Sequence, residues 1–181
     1  MARYRFCSFY FAAGQLWKSL DFLRKTTVLA ARGQRRFENA DGSIRMTKDW
    51  QEATNSGDAE RAGSLLYAGA DINALDRHGQ TALMSAAHKG YAEVVRLLAR
   101  RGANLNHAAK YRLTATMLAV IADHPDVVCV LVDAGADLTL RGSPNTAPIY
   151  DKTALEMAVQ MKRQQCAEIL QIAEAKQKPC S

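Results

Sequence analysis

The sequence lacks several features that would assign it to well-known protein classes. It contains no run of the roughly 18 uncharged apolar residues that cross a bilayer, which argues against a transmembrane protein. Its four cysteines (Cys7, Cys129, Cys166 and Cys180) form no C-x-x-C pair, which favours free thiols in a reducing compartment. Aromatic residues make up only 7% of the chain, but 48% apolar content over 181 residues suffices for the core of one domain.

Excess positive charge is also absent from most of the chain. Residues 1–45 contain nine basic and three acidic side chains and therefore carry the whole formal net charge of +6. Residues 46–181 contain 15 side chains of each sign. Because nucleic-acid-binding domains usually show a basic excess, we expect no nucleic-acid partner for residues 46–181.

What the sequence does contain is an internal repeat. A Gly-Ala-Asp/Asn motif begins at Gly69, Gly102 and Gly135, and a Thr-Ala motif begins at Thr81, Thr114 and Thr153. The spacing is 33 residues throughout, except for 39 residues between the last two threonines. Two independent motifs that share a period indicate a solenoid of stacked units.

Each unit is predicted to form two short helices and a turn. Thr81 can cap a first helix that Gly90 ends, and a second helix is predicted over residues 92–101, closed by Gly102. Pro125 opens the second helix of the third unit, where a missing N–H costs nothing. The apolar positions of the helix pair are Leu83, Ala86, Ala87, Val94, Val95, Leu97 and Leu98. Such short helices are marginal alone, so stability requires several stacked units.

The two ends of the array are predicted to be more polar than its middle. Arg61 and Ser64 stand in the first unit where Val94 and Leu97 stand in the second. The last unit has no closing Gly-Ala-Asp motif, and the polar run 162–165 separates its helices. We interpret both ends as terminal caps, with Cys166 in the core and Cys129 exposed.

Residues 46–176 resemble an ankyrin repeat array, and the second unit matches the family pattern nearly throughout, from Gly79 to Asn106. The resemblance implies an all-α fold, an αα-hairpin solenoid, preceded by an N-terminal extension of undetermined structure. It divides the chain into an extension at 1–45, units at 46–78, 79–111, 112–150 and 151–176, and a tail at 177–181. The third unit departs most, because Arg112 replaces the turn glycine and Thr116 replaces a core leucine.

The resemblance also implies where a partner binds: at the hairpin tips and at the last two positions of each first helix. Mapped onto this sequence, these positions are Arg77, His78, Gln80, His88, Lys89, Lys110, Tyr111, Leu113, Ile121, Ala122, Ile149, Tyr150, Lys152, Gln160 and Met161. The set mixes apolar and aromatic side chains with basic ones and contains no acid, which predicts a partner protein with an acidic rim around an apolar patch. The alternative is an ordinary solvated surface, since single surface charges contribute little.

The six extra residues of the third unit fall within 141–150. Insertions in repeat proteins map to loops on one face, often the binding face, and Tyr150 could serve there as an anchor. Neutral drift in a tolerant loop explains the insertion equally well.

Residues with the spacing of a catalytic or metal site were not found. The histidines His78, His88, His107 and His124 lack the i, i+3 or i+4 pairing of a helical metal site. No nucleophile with a base partner and no glycine-rich phosphate loop can be recognised. We therefore predict that the protein is not an enzyme and has no cofactor.

The first 45 residues allow four interpretations. They could be an organelle transit peptide, or a secretory signal with Arg3 and Arg5 before an apolar region at 6–17. They could form an amphipathic helix that packs on the first unit or lies on an anionic membrane. They could also be a disordered or non-native extension, because an initiator at Met46 would give a complete neutral repeat protein.

These observations predict a non-enzymatic adaptor or inhibitor, monomeric and cytoplasmic, that binds another protein through its concave face and hairpin tips. The alternative is a targeted or membrane-apposed factor, organelle-directed or exported. Its basic segment 1–45 would set its location and provide any membrane contact, and its repeats would serve as a secondary docking surface.

Overall fold

The computed structural model describes residues 46–143 and 151–177. Within them, eight α-helices form four consecutive pairs, one pair in each predicted unit. They are α1 (Lys48–Ser56), α2 (Ala59–Tyr67), α3 (Ala82–Lys89), α4 (Ala92–Arg100), α5 (Ala115–Ile121), α6 (Pro125–Asp133), α7 (Ala154–Gln160) and α8 (Gln164–Gln177). The predictions for residues 1–45, for Ile149 and Tyr150, and for the tail from 178 onward lie outside the described residues.

Threonine side chains cap the N-termini of the four first helices. The side chains of Thr47, Thr81, Thr114 and Thr153 each accept a hydrogen bond from the backbone N–H three residues on, at 3.3–3.4 Å. Thr153 adds a reciprocal bond, because its own N–H donates to Glu156 Oε2 at 3.1 Å. These bonds satisfy backbone donors that a helix start would otherwise leave unpaired, and they confirm the predicted cap at Thr81.

The core lies between two rows of helices. The first helices pack side by side in one row (α1, α3, α5, α7), and the second helices form the other (α2, α4, α6, α8). Of the predicted apolar stripe, six positions are buried: Leu83, Ala86, Ala87, Val94, Val95 and Leu98. Leu97 is only half-buried and packs against the edge of the core. The predicted all-α solenoid is thus confirmed.

Asparagine side chains link the turns of successive repeats by hydrogen bonds. Asn73 Oδ1 accepts from the backbone N–H of Asn104 at 2.9 Å, and Asn106 Oδ1 accepts from that of Asp137 at the same distance. The Asp137 carboxylate accepts from both the hydroxyl and the backbone N–H of Thr139, which lowers the pKa of Asp137. The same bond at two junctions fixes the spacing of successive turns.

The ends of the first helices show how one repeat packs against the next. Gly90 has a φ of +80°, and a Cβ atom there would lie 2.7 Å from the imidazole ring of His124. At the next junction Asp123 replaces the glycine at φ +61°, and its carboxylate pairs with the Arg163 guanidinium at 3.0 Å. The contact of Gly90 with the His124 ring at one junction is thus replaced at the next junction by the ion pair of Asp123 with Arg163.

The terminal repeats differ from the inner ones largely as predicted. Arg61 and Ser64 are exposed at the places where Val94 and Leu97 pack on the core. At the other end Val159 is 57% exposed, although Val120, at the equivalent place in the third repeat, is fully buried. The last repeat therefore combines polar substitutions with two apolar side chains open to solvent, Val159 and Ile172.

Candidate partner-binding surface

The predicted binding residues that the structure describes lie in hairpin tips and at the ends of first helices. We call these regions together the front face: the hairpin tips (76–80 and 109–113), Lys152, and the residues at the end of each first helix. Its exposed members are Arg77, His78, His88, Lys89, Lys110, Tyr111 and Gln160. Its half-buried members are Gln80, Ile121, Ala122, Lys152 and Met161. The structure therefore leaves most of the predicted positions open to a partner.

Leu113 is the exception and requires a correction. Its side chain is only 8% exposed and belongs to the core cluster, so it cannot act as a partner contact in this conformation. Leu113 takes the place of Gln80, which is half-buried in the second repeat. An apolar residue at this register turns inward, because burying a leucine side chain stabilises the fold by roughly 1.5–3 kcal/mol.

The second-repeat tip is closed by the carboxylate of Asp76. Its Oδ1 accepts from the backbone N–H groups of His78 at 2.7 Å and Gln80 at 2.8 Å. The Asp76 N–H donates to the Gln80 carbonyl at 2.9 Å, and Gly79 turns with a φ of +73°. Arg77 Nε donates to His78 Nε2 at 3.0 Å, so the two basic side chains at the tip position each other.

The third-repeat tip departs from this pattern, as its sequence predicted. Ala109 replaces Asp76, and Tyr111 and Arg112 both adopt positive φ, at +64° and +56°. The backbone N–H of Arg112 still donates to the Ala109 carbonyl at 2.9 Å. Lys110 Nζ lies 4.9 Å from the centre of the Tyr111 ring, within the range of a cation–π contact.

The first helices complete the front face between the tips. Lys89 Nζ donates to the Asn55 carbonyl at 3.1 Å and so reaches from the second repeat to the first. His88 beside it is exposed, and Ile121 takes the equivalent place one repeat later, half-buried against the core. The front face thus alternates basic groups with partly exposed apolar ones.

Charge is distributed unequally between the front face and the second helices. In the second and third repeats the front face carries Arg77, Lys89, Lys110 and Arg112, with Asp76 as its one acid. The helices α4 and α6 on the opposite side carry Glu93, Asp126 and Asp133 with Arg96 and Arg100. Arg112 is not among the binding residues predicted from the sequence, although its replacement of the turn glycine marks it as unusual.

The base of the insertion is held by Arg141. Its guanidinium contacts the Glu156 carboxylate at 3.2 Å and the Asp151 carbonyl at 2.9 Å. The backbone N–H of Gly142 donates to the Lys152 carbonyl at 3.2 Å, and that of Ser143 donates to the Tyr111 carbonyl at 2.9 Å. Ser143, near the start of this segment, therefore lies directly beside the third-repeat tip.

The remaining reactive groups of the described residues are dispersed over the array. Within residues 46–143 and 151–177 no group of three or more His, Cys, Asp and Glu side chains could hold a metal ion. Cys129 is exposed and Cys166 is buried, as predicted. Burial, together with the nearby Asp123 carboxylate, raises the pKa of the Cys166 thiol, which disfavours the nucleophilic thiolate. None of the described helices is both long and apolar enough to cross a bilayer.

These features define a class: a repeat protein of stacked helix pairs, whose front face offers a surface for binding. In a comparison with family models, the model of ankyrin repeats matches residues 50–142 as three copies. The chain belongs to the ankyrin repeat family, whose members generally mediate protein–protein interaction and typically are not enzymes. The fourth helix pair, α7 and α8, lies beyond the matched residues. A search of curated proteins gave no match.

Proposed function

We propose that the protein is a monomeric, non-enzymatic adaptor or inhibitor that binds one partner protein through its front face. The observation that carries the proposal is the cluster of basic side chains in the second and third repeats, interleaved with partly exposed Ile121 and Tyr111. Such a mixture suits a partner whose apolar patch is rimmed by acidic residues. Cys129 and Cys166, the cysteines of the described residues, form no disulfide, which supports a cytoplasmic location.

The partner can be captured and the surface tested in one experiment. A photo-crosslinking residue at position 78 of the full-length chain is expected to trap the partner, whereas one at position 100, on α4, is not. The affinity of the captured partner is then measured for the double charge reversal Lys89→Glu/Lys110→Glu. We predict a loss of about 10-fold or more, since like charges then face each other across the interface.

A matched control is available on α4 and the turn that follows it. The double reversal Arg100→Glu/Arg101→Glu changes the net charge equally, and neither arginine forms an ion pair with a described residue. This variant is expected to retain the affinity of the unmodified chain. If the partner binds folded Lys89→Glu/Lys110→Glu as tightly as it binds the unmodified chain, the front face is not the binding surface.

A second candidate function rests on the charge of the N-terminal segment. Nine basic against three acidic side chains in residues 1–45 favour a targeting or membrane-apposed role. The two functions are separated by deleting residues 1–45 from a tagged chain. The adaptor proposal predicts unchanged partner affinity and location, whereas the targeting proposal predicts loss of the original location.

A further inference from the structure

The two described hairpin tips repeat a cation at a fixed spacing. Arg77 and Lys110 stand at equivalent positions, 33 residues apart, just before the packed helices α3 and α5. Packed helices have axes 8–10 Å apart, and the turns are kept in step by the bond from Asn104 N–H to Asn73 Oδ1 at 2.9 Å. The tip backbones therefore repeat at about 8–10 Å.

A hydrogen bond connects the second-repeat tip to the turn that precedes the third-repeat tip. His107 Nε2 lies 2.9 Å from the carbonyl oxygen of Gly79, so the turn that leads into the third-repeat tip is bound to the second-repeat tip. Each tip is also closed internally, by the Asp76 carboxylate in one case and by the Arg112 N–H bond to the Ala109 carbonyl in the other. A surface ordered in advance loses less conformational freedom when it binds.

The basic side chains of these tips form no ion pair within the described part of the chain. No described carboxylate lies within ion-pair distance of Arg77, Lys110 or Arg112. The one acid at the tips, Asp76, already accepts two backbone N–H groups through Oδ1. A protein partner can offer such cations a carboxylate, which a guanidinium can bind through two parallel hydrogen bonds.

The spacing of the tips sets the spacing of the carboxylates that reach both of them. A chain extended as a polyproline II helix rises about 3.1 Å per residue with three residues per turn, so side chains three residues apart lie on one face about 9 Å apart. An α-helix needs six or seven residues to cover about 10 Å. Segments rich in acidic residues are extended because like charges repel. We infer that the two tips together bind an extended acidic segment with carboxylates three residues apart, Asp/Glu-x-x-Asp/Glu. This inference rests on the proposed function, for which it names the kind of segment that the partner presents.

The inference is tested with synthetic peptides and the full-length chain labelled with ¹⁵N. Two Gly/Ser peptides contain four aspartates each, placed at every third residue in one and at every fifth residue in the other, so that only the first contains the Asp-x-x-Asp spacing. A third, alanine-based helical peptide places its acids seven residues apart. Affinities are read from the amide resonances of Arg77, Lys110 and Arg112.

We expect the peptide with every third residue acidic to bind about 3- to 10-fold more tightly than the peptide with every fifth residue acidic, as one or two additional surface ion pairs would give. This preference should disappear in Arg77→Glu/Lys110→Glu and persist in the Arg100→Glu/Arg101→Glu control. Equal affinities of the two aspartate peptides, tightest binding of the helical peptide, or no shift at the tips would each overturn the inference. The proposed function is judged separately, by the effect of Lys89→Glu/Lys110→Glu on the captured partner.

Discussion

At the scale of single residues, the backbone conformation required at the ends of the first helices explains the glycine pattern. Gly57 and Gly90 have φ values near +80°, a region in which a side chain costs roughly 1–2 kcal/mol. Asp123 and Lys162 take the equivalent places with φ values of +61° and +58°. The fold therefore tolerates a side chain here only where the facing residue leaves room or supplies a partner, as Arg163 does for Asp123.

Gly90→Ala is predicted to be the more damaging of two otherwise similar changes. Gly102 has a similar φ of +83°, but a Cβ added there would meet no heavy atom within 4 Å, whereas a Cβ at Gly90 meets the His124 ring at 2.7 Å. Both variants incur the conformational cost, and Gly90→Ala adds an overpacking cost of about 1–3 kcal/mol. Urea unfolding of the two variants measures the difference. Equal free energies of unfolding would show that the ring does not pack on Gly90.

The residue scale is also where sequence reasoning was least complete. The spacing of the motifs identified the caps and the core stripe, because these follow from helical periodicity, and the resemblance to the ankyrin family implied the tips. It could not reveal that Leu113 turns into the core, since the side-chain direction depends on the local path of the hairpin. Nor could it identify the bond between Lys89 and the Asn55 carbonyl, which joins residues 34 positions apart.

At the scale of helices, the ion pair between Asp123 and Arg163 stabilises the junction of the third and fourth repeats. Both side chains are partly exposed, at 45% and 34%, so the pair contributes at most about 1 kcal/mol. Asn also tolerates positive φ, so Asp123→Asn removes the charge without changing the backbone requirement. We predict a loss of about 0.2–1 kcal/mol in the free energy of unfolding.

A double-mutant cycle measures this pair directly. Asp123→Asn and Arg163→Gln, separately and together, should show a coupling energy of the same size as the single loss. Asp126→Asn combined with Arg163→Gln is the matched control cycle. Its coupling energy should be near zero, because Asp126, at the start of α6, forms no ion pair with a described residue. A coupling energy of zero would assign the junction to apolar packing alone.

At the scale of the whole molecule, stability comes from stacking and function from the surface that stacking creates. Each helix pair buries its apolar face against its neighbours, so the row of first helices holds the tips at a constant spacing. The fold was predictable because the same sequence motifs recur in successive repeats. The partner was not, because a solenoid fixes the geometry of the front face while its side chains vary from repeat to repeat.

Hydrogen–deuterium exchange of the full-length chain, with and without the captured partner, tests the central claim most directly. The account predicts that binding slows exchange in the tips at 76–80 and 109–113 and at the end of α3, because these amides lie under the bound partner. Exchange in the second helices α4 and α6 should change little. Protection confined to α4 and α6, with unchanged exchange at both tips, would contradict the account.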